Sequence, residues 1–153
     1  MMIRLRTILL VDDNPQDIEL TLEALATENL ANSVHVIKDG LEAMEYLQYE
    51  GPYKNREREN PALILLDIKM PRMDGIEVLQ AIKSDIRLKS IPVVMLTSSR
   101  EDPDLLKCYE AGANAYVVKP VYFKDFTAAV KQLGVFWAVI NELPNIGENK
   151  HEY

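Results

Sequence analysis

The chain has few of the residues that stabilise secreted proteins and none of the long apolar runs of membrane proteins. Its single cysteine, Cys108, cannot form an internal disulfide. No apolar run approaches the length of about 18 residues that a membrane helix needs. The start, MMIRLRTILLVDDN, contains no small-residue cleavage site, and acids follow its short apolar stretch directly. We therefore expect no membrane association, and the cysteine usage fits a reducing cytoplasm.

Positive charge is also scarce. Seventeen Lys and Arg residues face 24 Asp and Glu residues, which gives a net charge of -7. An acidic surface disfavours direct binding to nucleic acid phosphates. The 153 residues suit one domain. We place this domain at residues 1–143, with a C-terminal helix extension, and expect a flexible tail at 144–153.

Five short apolar runs recur along the chain, each four or five residues long and rich in branched aliphatic side chains. Such runs are typical of parallel strands that are covered on both faces. They are Ile8–Val11, Val34–Ile37, Ala62–Leu66, Val93–Leu96 and Ala115–Val118.

Each run is followed by a segment in which apolar residues recur at helical spacing. Two of these segments begin with a capping residue before proline, at Asn14-Pro15 and Asp102-Pro103. Alternating strands and helices predict an α/β fold, a doubly wound five-stranded parallel sheet with five helices on both faces. The helical stripes are Ile18, Leu22 and Leu25; Leu41, Met44 and Leu47; Ile76, Leu79 and Ile82; Leu105, Leu106 and Tyr109; and Phe123, Phe126, Val130 and Leu133.

Polar residues stand where four of the predicted strands end. Asp12 and Asp13 follow the first strand, Asp67 follows the third, Thr97 ends the fourth and Lys119 follows the fifth. Ligands of doubly wound sheets bind at the carboxyl ends of the strands. We therefore expect three acids, a hydroxyl and a lysine to share one edge of the sheet.

Three neighbouring carboxylates repel one another unless a cation lies between them. Their hard oxygen atoms favour Mg²⁺, which also binds phosphate groups. Lys119 adds a compact positive charge. This set of residues predicts a site that holds a phosphoryl group, with Asp67 as the nucleophile.

Four segments together resemble the receiver domain of two-component response regulators, the phospho-acceptor partners of histidine kinases. The resemblance extends over roughly residues 7–133. The family has a flavodoxin-like sheet with strand order 2-1-3-4-5, which the resemblance therefore implies. The matching segments are VDD at 11–13, DIKMPRMDG at 67–75, VVMLTSS at 93–99 and AYVVKP at 115–120.

The resemblance assigns a role to each acid. Asp67 corresponds to the phosphorylated residue. Asp12 and Asp13 correspond to the residues that bind Mg²⁺, together with Asp67 and the backbone carbonyl of Lys69.

The resemblance also implies a switch. Thr97 corresponds to the hydroxyl that binds a phosphoryl oxygen, and Lys119 to the lysine that pairs with the phosphoryl group. The bond from Lys119 to Pro120 is expected to be cis. Tyr116 corresponds to an aromatic residue that turns inward when Thr97 moves. The face built from the fourth helix, fifth strand and fifth helix would then change its binding preference.

Two further features resemble the small regulators of phytochrome kinases. One is the polar loop at 51–60, which we expect to be exposed and mobile. The other is Phe136-Trp137 in an apolar extension, which predicts a homodimer interface. Alternatively, these aromatic side chains pack on their own domain. The expected partner is a sensor histidine kinase, with the phytochrome type as the candidate, or a histidine phosphotransfer protein.

Other functions are compatible with parts of the pattern. A haloacid-dehalogenase-type hydrolase also uses an aspartate after a strand, but it needs a second acid where Lys69 stands. A nucleotide-binding turn would need glycine where Asp12-Asp13-Asn14-Pro15 stands. We therefore expect a phospho-acceptor rather than a turnover enzyme. A receiver-like scaffold that acts without phosphorylation remains the alternative.

Overall fold

The five predicted strands form one parallel sheet in the order β2-β1-β3-β4-β5. The computed structural model describes residues 7–26, 33–98, 102–119, 128–132 and 137. The strands are β1 (Ile8–Val11), β2 (Val34–Ile37), β3 (Leu63–Leu66), β4 (Val93–Thr97) and β5 (Ala115–Val118).

Helices connect the strands. They are α1 (Pro15–Ala26), α2 (Gly40–Gln48), α3 (Gly75–Ser84) and α4 (Asp102–Glu110), and a short 3-10 helix spans Gly51–Tyr53. A further helical segment at 128–132, called α5 here, lies within the fifth predicted helix. The predicted fold class and strand order are confirmed.

The three central strands, β1, β3 and β4, are buried along their whole length. Alternate residues contribute to separate cores because successive side chains in a strand point to opposite faces. Leu9 and Ile64 pack with α2 and α3, whereas Leu10 and Leu65 pack with α1 and Val130 of α5. Two-sided burial explains why these strands read as continuous apolar runs.

Helix α4 lies where the spacing predicts it, but its large apolar side chains do not face the core. Leu105, Leu106 and Tyr109 are 36%, 61% and 50% exposed. Cys108 is the residue of α4 that is fully buried, and Ala111 packs beside it at the end of the helix. The small side chains of Cys108 and Ala111 thus face the core, and the larger ones of α4 are left in solvent.

Helix starts at the carboxyl edge of the sheet are capped by side chains. The Asn14 side chain accepts the Asp17 N–H at 3.1 Å at the start of α1. Asp74 and Glu77 form a reciprocal capping box at the start of α3. These caps fix the first turns that surround the strand ends.

The polar loop at 51–60 makes more contacts with the domain than its composition predicts. Tyr53, Arg56, Glu59 and Asn60 are partly buried, so the expectation of an exposed loop is wrong for these four residues. The side chains of Tyr53 and Arg56 join His35 of β2 and Tyr46 of α2 in a group that we call the ring cluster.

Several predictions fall on residues outside the described ranges. They are the tail at 144–153, the cis bond at Pro120 and the interface residue Phe136. Within the described ranges, no helix has the length and apolarity required to cross a membrane.

Candidate functional site at the carboxyl edge of the sheet

Asp12 and Asp67 are neighbours because the strands that precede them are paired. Val11 lies opposite Leu66 in the parallel ladder, and the Asp67 N–H donates to the Val11 carbonyl at 3.0 Å. Asp12 is 1% exposed, and its Oδ1 accepts the Asn14 N–H at 3.0 Å. The register of β1 and β3 therefore delivers both carboxylates to one point.

The turn after Asp67 depends on close backbone packing. Asp67 Oδ1 accepts the Ile68 N–H at 2.7 Å, and the Gly75 N–H donates to the Ile68 carbonyl at 2.7 Å. A Cβ atom on Gly75 would lie 2.0 Å from the Asp67 carbonyl oxygen. Gly75 is therefore required for the loop to close beneath Asp67.

The same loop is fixed against the start of α2. Arg72 adopts a left-handed backbone with φ of 65° and forms an ion pair with Asp39. Asp39 also caps α2, because its Oδ1 accepts the Leu41 N–H. This ion pair holds the pKa of Asp39 below its usual value. The loop that carries Lys69 is thereby held at both ends.

Three carboxylates converge at this edge. Asp12, Asp13 and Asp67 each offer one oxygen, and these oxygens lie within 4.8 Å of one another. Hard oxygen donors at this spacing fit a divalent cation such as Mg²⁺. Lys69 follows in the same loop with an exposed side chain, and its carbonyl remains a predicted ligand.

Lys119 binds three carboxylates at once. Its Nζ lies 2.7 Å from Asp17 Oδ2, 3.0 Å from Asp12 Oδ2 and 3.1 Å from Asp67 Oδ2. The Lys119 side chain is 9% exposed. The Lys119 N–H donates to the Thr97 carbonyl at 2.7 Å, which fixes its backbone beside β4. We call Asp12, Asp13, Asp17, Asp67 and Lys119 together the acidic site.

Burial and charge oppose each other in the acidic site. Burial raises the pKa of Asp12 above its usual value, and the Asn14 N–H and Lys119 offset this effect only in part. Burial alone would lower the pKa of Lys119, but the hydrogen bond that it donates to Asp17 and the charges of Asp12 and Asp67 raise it. The lysine therefore stays charged at neutral pH.

Thr97 and Tyr116 lie on neighbouring strands. Thr97 is 1% exposed at the end of β4 and pairs with Val118 of β5. Tyr116 pairs with Met95 and is partly buried against the core beneath α2 and α3. Thr97 lies at the end of its strand as predicted, whereas Tyr116 lies within β5. Their roles as binding hydroxyl and switch remain predictions.

Trp137 packs against its own domain. It is partly buried against the core that includes Leu10 and Val130. This contact corresponds to the alternative stated for the aromatic pair, that it folds back on the domain. The predicted interface role of Trp137 stays a prediction.

Sequence reasoning missed Asp17. This residue lies in the first turn of α1, close to the end of β1. The sequence position of Asp17 could have indicated this contact, since an acid three residues after a helix cap points back toward the preceding strand end. Acids are so common in first turns that the position alone indicated helix stabilisation rather than a contact with Lys119.

The sequence matches the response regulator receiver domain family over residues 8–131. Response regulator Rcp1 of Synechocystis sp. is 41% identical over 139 residues, which covers 91% of this chain and 93% of Rcp1. A solved structure of the Mn²⁺-bound form of Rcp1 matches with a TM-score of 0.83 at 40% identity, covering 91% of this chain and 99% of that one.

Two other solved structures are similar over most of the chain. The phosphorylated cyanobacterial phytochrome response regulator RcpA is 42% identical with a TM-score of 0.85, covering 92% of this chain and 99% of RcpA. The bacteriophytochrome response regulator AtBRR is 57% identical with a TM-score of 0.72, covering 91% of this chain and 99% of AtBRR. With its sheet order, its acidic edge and these matches, the chain belongs to the response regulator receiver domain family.

Proposed function

We propose that this protein is a single-domain response regulator that accepts a phosphoryl group from a histidine kinase onto Asp67 in a Mg²⁺-dependent reaction. The observation that carries the proposal is the convergence of Asp12, Asp13, Asp67 and Lys119 at one edge of the sheet. Three acids and one ammonium at the strand ends are suited to a phosphoryl group and a divalent cation.

The cation would be held by Asp12, Asp13 and Asp67, together with the carbonyl of Lys69. When bound, it offsets the repulsion among these carboxylates and the negative charge of a phosphoryl group. The likeness to the Mn²⁺-bound form of Rcp1 supports a divalent ion in this place. Mg²⁺ is our choice because its ligands are hard oxygen atoms and phosphates.

In the transfer step, an Asp67 carboxylate oxygen attacks the phosphorus of a phosphohistidine. A new P–O bond forms while the P–N bond breaks, and its electron pair returns to the imidazole of the donor. Lys119 already contacts Asp67 Oδ2 at 3.1 Å, so its ammonium is placed to bind an oxygen of the group in transfer. The chain acts here as a phospho-acceptor and not as a turnover enzyme.

The output would be a change of binding surface. Thr97 binds the phosphoryl group through its hydroxyl, and Tyr116 turns inward to fill the space that Thr97 leaves. The α4-β5-α5 face then favours dimerisation or another partner. The exposed Leu105, Leu106 and Tyr109 on α4 support this choice of face, because large apolar side chains in solvent favour association.

Phytochrome-type light signalling is our proposed pathway, supported by the likeness to the phytochrome response regulator RcpA and the bacteriophytochrome response regulator AtBRR. The direct partner would be a sensor histidine kinase or a histidine phosphotransfer protein. We further propose a cytoplasmic homodimer, with Phe136 and Trp137 at its interface. The receiver domain would occupy residues 1–143, with 144–153 as a flexible tail.

Intact-mass spectrometry tests the central proposal. The protein is incubated with acetyl phosphate and MgCl₂, and the wild type is expected to gain the mass of one phosphoryl group. Asp67→Asn should gain none, because the amide is not a nucleophile of comparable strength. Chelation of the metal should abolish the gain in the wild type, and added Mg²⁺ should restore it.

Asp85→Asn is the matched control. Asp85 follows α3, at the opposite edge of the sheet from the acidic site, so its loss should leave phosphorylation unchanged. A phosphoryl gain that survives in Asp67→Asn would refute the assignment of the acceptor. A wild type that gains no phosphoryl group from acetyl phosphate or a purified histidine kinase would favour the scaffold instead.

A further inference from the structure

The ammonium of Lys119 has no hydrogen-bond donor left for a further partner. An ammonium carries three N–H groups, and Lys119 Nζ already contacts Asp12, Asp17 and Asp67. The contact with Asp17, at 2.7 Å, is the shortest of the three. A phosphoryl oxygen that binds Lys119 must therefore share or displace one of these carboxylates.

The three carboxylates differ in how easily they can release the lysine. The Asp12 and Asp67 side chains are 2% and 12% exposed, whereas that of Asp17 is 27% exposed. Returning a carboxylate to water costs least where water already reaches it. The described residues offer the Asp17 carboxylate no second side-chain cation, and its backbone is fixed through Asn14 and Thr21. The backbone of Asp17 is thus fixed, but its carboxylate can be displaced from Lys119.

We propose that Asp17 is a positioning residue that competes with the incoming phosphoryl group for the Lys119 ammonium and so slows phosphorylation of Asp67. This inference rests on the proposed function. It adds a residue of α1 to the control of the reaction and makes the rate of phosphorylation adjustable at a position outside the metal ligands.

The negative charge of Asp17 should slow phosphorylation in addition to its competition for the hydrogen bond. The acidic site contains four carboxylates and one ammonium, which contacts three of them. The group to be accepted is itself anionic, so each uncompensated carboxylate opposes its approach. Replacing Asp17 by Asn removes one negative charge and weakens the hold on Lys119. We expect the second-order rate constant for phosphorylation to rise roughly three- to tenfold, given partial solvent screening.

Acetyl phosphate is the donor for the test, since it needs no docking on α1. In this reaction the P–O bond to the acetyl group breaks, its electron pair leaves with acetate, and a new P–O bond forms to Asp67. Rates are measured by quenched intact-mass spectrometry for the wild type, Asp17→Asn, Asp17→Ser, Asp17→Glu and Glu19→Gln at saturating MgCl₂. Thermal melting of each variant shows that it is folded.

The variants separate competition from general effects of charge. Asp17→Asn and Asp17→Ser should both react faster than the wild type. Asp17→Glu keeps the carboxylate and should stay within about twofold of the wild-type rate. Glu19→Gln removes the same charge from the same helix at an exposed position without a contact to Lys119, and it should also stay within about twofold.

Beryllium trifluoride, a phosphoryl mimic, gives a readout that does not depend on turnover. Its affinity for the Mg²⁺-loaded protein, followed by ¹⁹F NMR, should increase in Asp17→Asn by a factor similar to the gain in rate. A folded Asp17→Asn that reacts no faster and binds the mimic no more tightly than the wild type would overturn the inference. An equal gain in Glu19→Gln would also overturn it. A wild type that is not phosphorylated at all would instead contradict the proposed function.

Discussion

Two polar clusters lie in this small domain, and they differ in whether their charged groups are paired. In the acidic site, three of the four carboxylates contact one ammonium at the carboxyl edge of the sheet, and the fourth, that of Asp13, lies beside them. In the ring cluster, Arg56 lies 3.9 Å from the centre of the Tyr46 ring, and its Nε donates to the Tyr46 carbonyl at 2.7 Å. The Tyr53 hydroxyl donates to Glu42 at 2.6 Å.

The difference separates a binding site from a stabilising contact. The acidic site leaves negative charge without a matching cation, so it has affinity for a divalent ion. The ring cluster pairs most of its polar groups internally, and within the described residues only Arg56 Nη2 is a buried side-chain nitrogen without a hydrogen bond. We therefore expect mutations in the acidic site to alter chemistry, and mutations in the ring cluster to alter stability alone.

The largest effect should come from a methyl group placed beneath Asp67. In Gly75→Ala, the new Cβ would lie 2.0 Å from the Asp67 carbonyl oxygen, so the backbone of the loop between Asp67 and Gly75 must move. We expect a loss of about 3 kcal/mol in the free energy of unfolding, measured in urea, because backbone cannot yield as a side chain can. The rate of phosphorylation by acetyl phosphate should also be lower than in the wild type.

Gly51→Ala is the matched substitution beside the ring cluster. Gly51 has a φ of 55°, and its added Cβ would meet only the flexible end of Glu45, at 2.9 Å. Its cost should be about 1 kcal/mol, the usual penalty of a left-handed alanine, with phosphorylation unchanged. Equal losses in the two variants would contradict the difference in packing between the two loops.

A smaller effect is expected from Arg56→Ala. The guanidinium donates to the carbonyls of Tyr46, Glu57 and Glu59 and covers the Tyr46 ring. Its removal should lower the free energy of unfolding by about 1–2 kcal/mol, since these carbonyls lose a charged donor. The rate of phosphorylation should not change, because no contact among the described residues joins Arg56 to the acidic site.

Arg58→Ala serves as the control for Arg56→Ala. Arg58 is exposed and lies 4.3 Å from the centre of the Tyr49 ring. An exposed cation–π contact contributes about 0.5 kcal/mol, so this variant should remain close to the wild type. A slower phosphorylation rate in Arg56→Ala would show that the two clusters are coupled, against our interpretation.

The sequence allowed four members of the acidic site, Asp12, Asp13, Asp67 and Lys119, to be placed together because ligands of this architecture bind at the strand ends. The apolar runs before Asp12, Asp67 and Lys119 locate the strands, and the parallel order brings the following residues together. Asp17 was missed because its contact with Lys119 joins residues 102 positions apart, through the first turn of a helix. Helical spacing gives the face of a residue but not its tertiary partner.

The ring cluster and the exposed side of α4 could not be predicted from the sequence because they also depend on tertiary contacts. The residues of loop 51–60 are polar, so composition predicts exposure, yet Arg56 is held by aromatic rings and backbone carbonyls. In α4, hydrophobicity favours burial of Leu105 and Leu106, but the structure places Cys108 and Ala111 against the core instead. Both outcomes depend on which surface the neighbouring element offers.

The smallest expected effect is the response of His35 to acid. Burial lowers the pKa of His35 below its ordinary value of 6.5, and the charge of Arg56 acts in the same direction. The unfolded chain therefore takes up this proton first, so the contribution of His35 to stability is present above about pH 6.5 and declines as the pH falls. In His35→Phe, which keeps a ring to stack on Tyr46, this decline should be absent.

Urea unfolding at about pH 7.5 and about pH 5.5, in chelator, measures the effect as the difference between wild type and His35→Phe. The comparison with His35→Phe is needed because protonation of Asp12 changes the free energy of unfolding in the opposite direction. Burial raises the pKa of Asp12, so the folded state takes up this proton first, and acid favours folding at the acidic site. Equal pH dependence in the two proteins would mean that His35 titrates as it does in water and that the ring cluster does not shield it. A smaller loss of stability on acidification in the variant, or a gain, would assign the acid sensitivity of the wild type to His35.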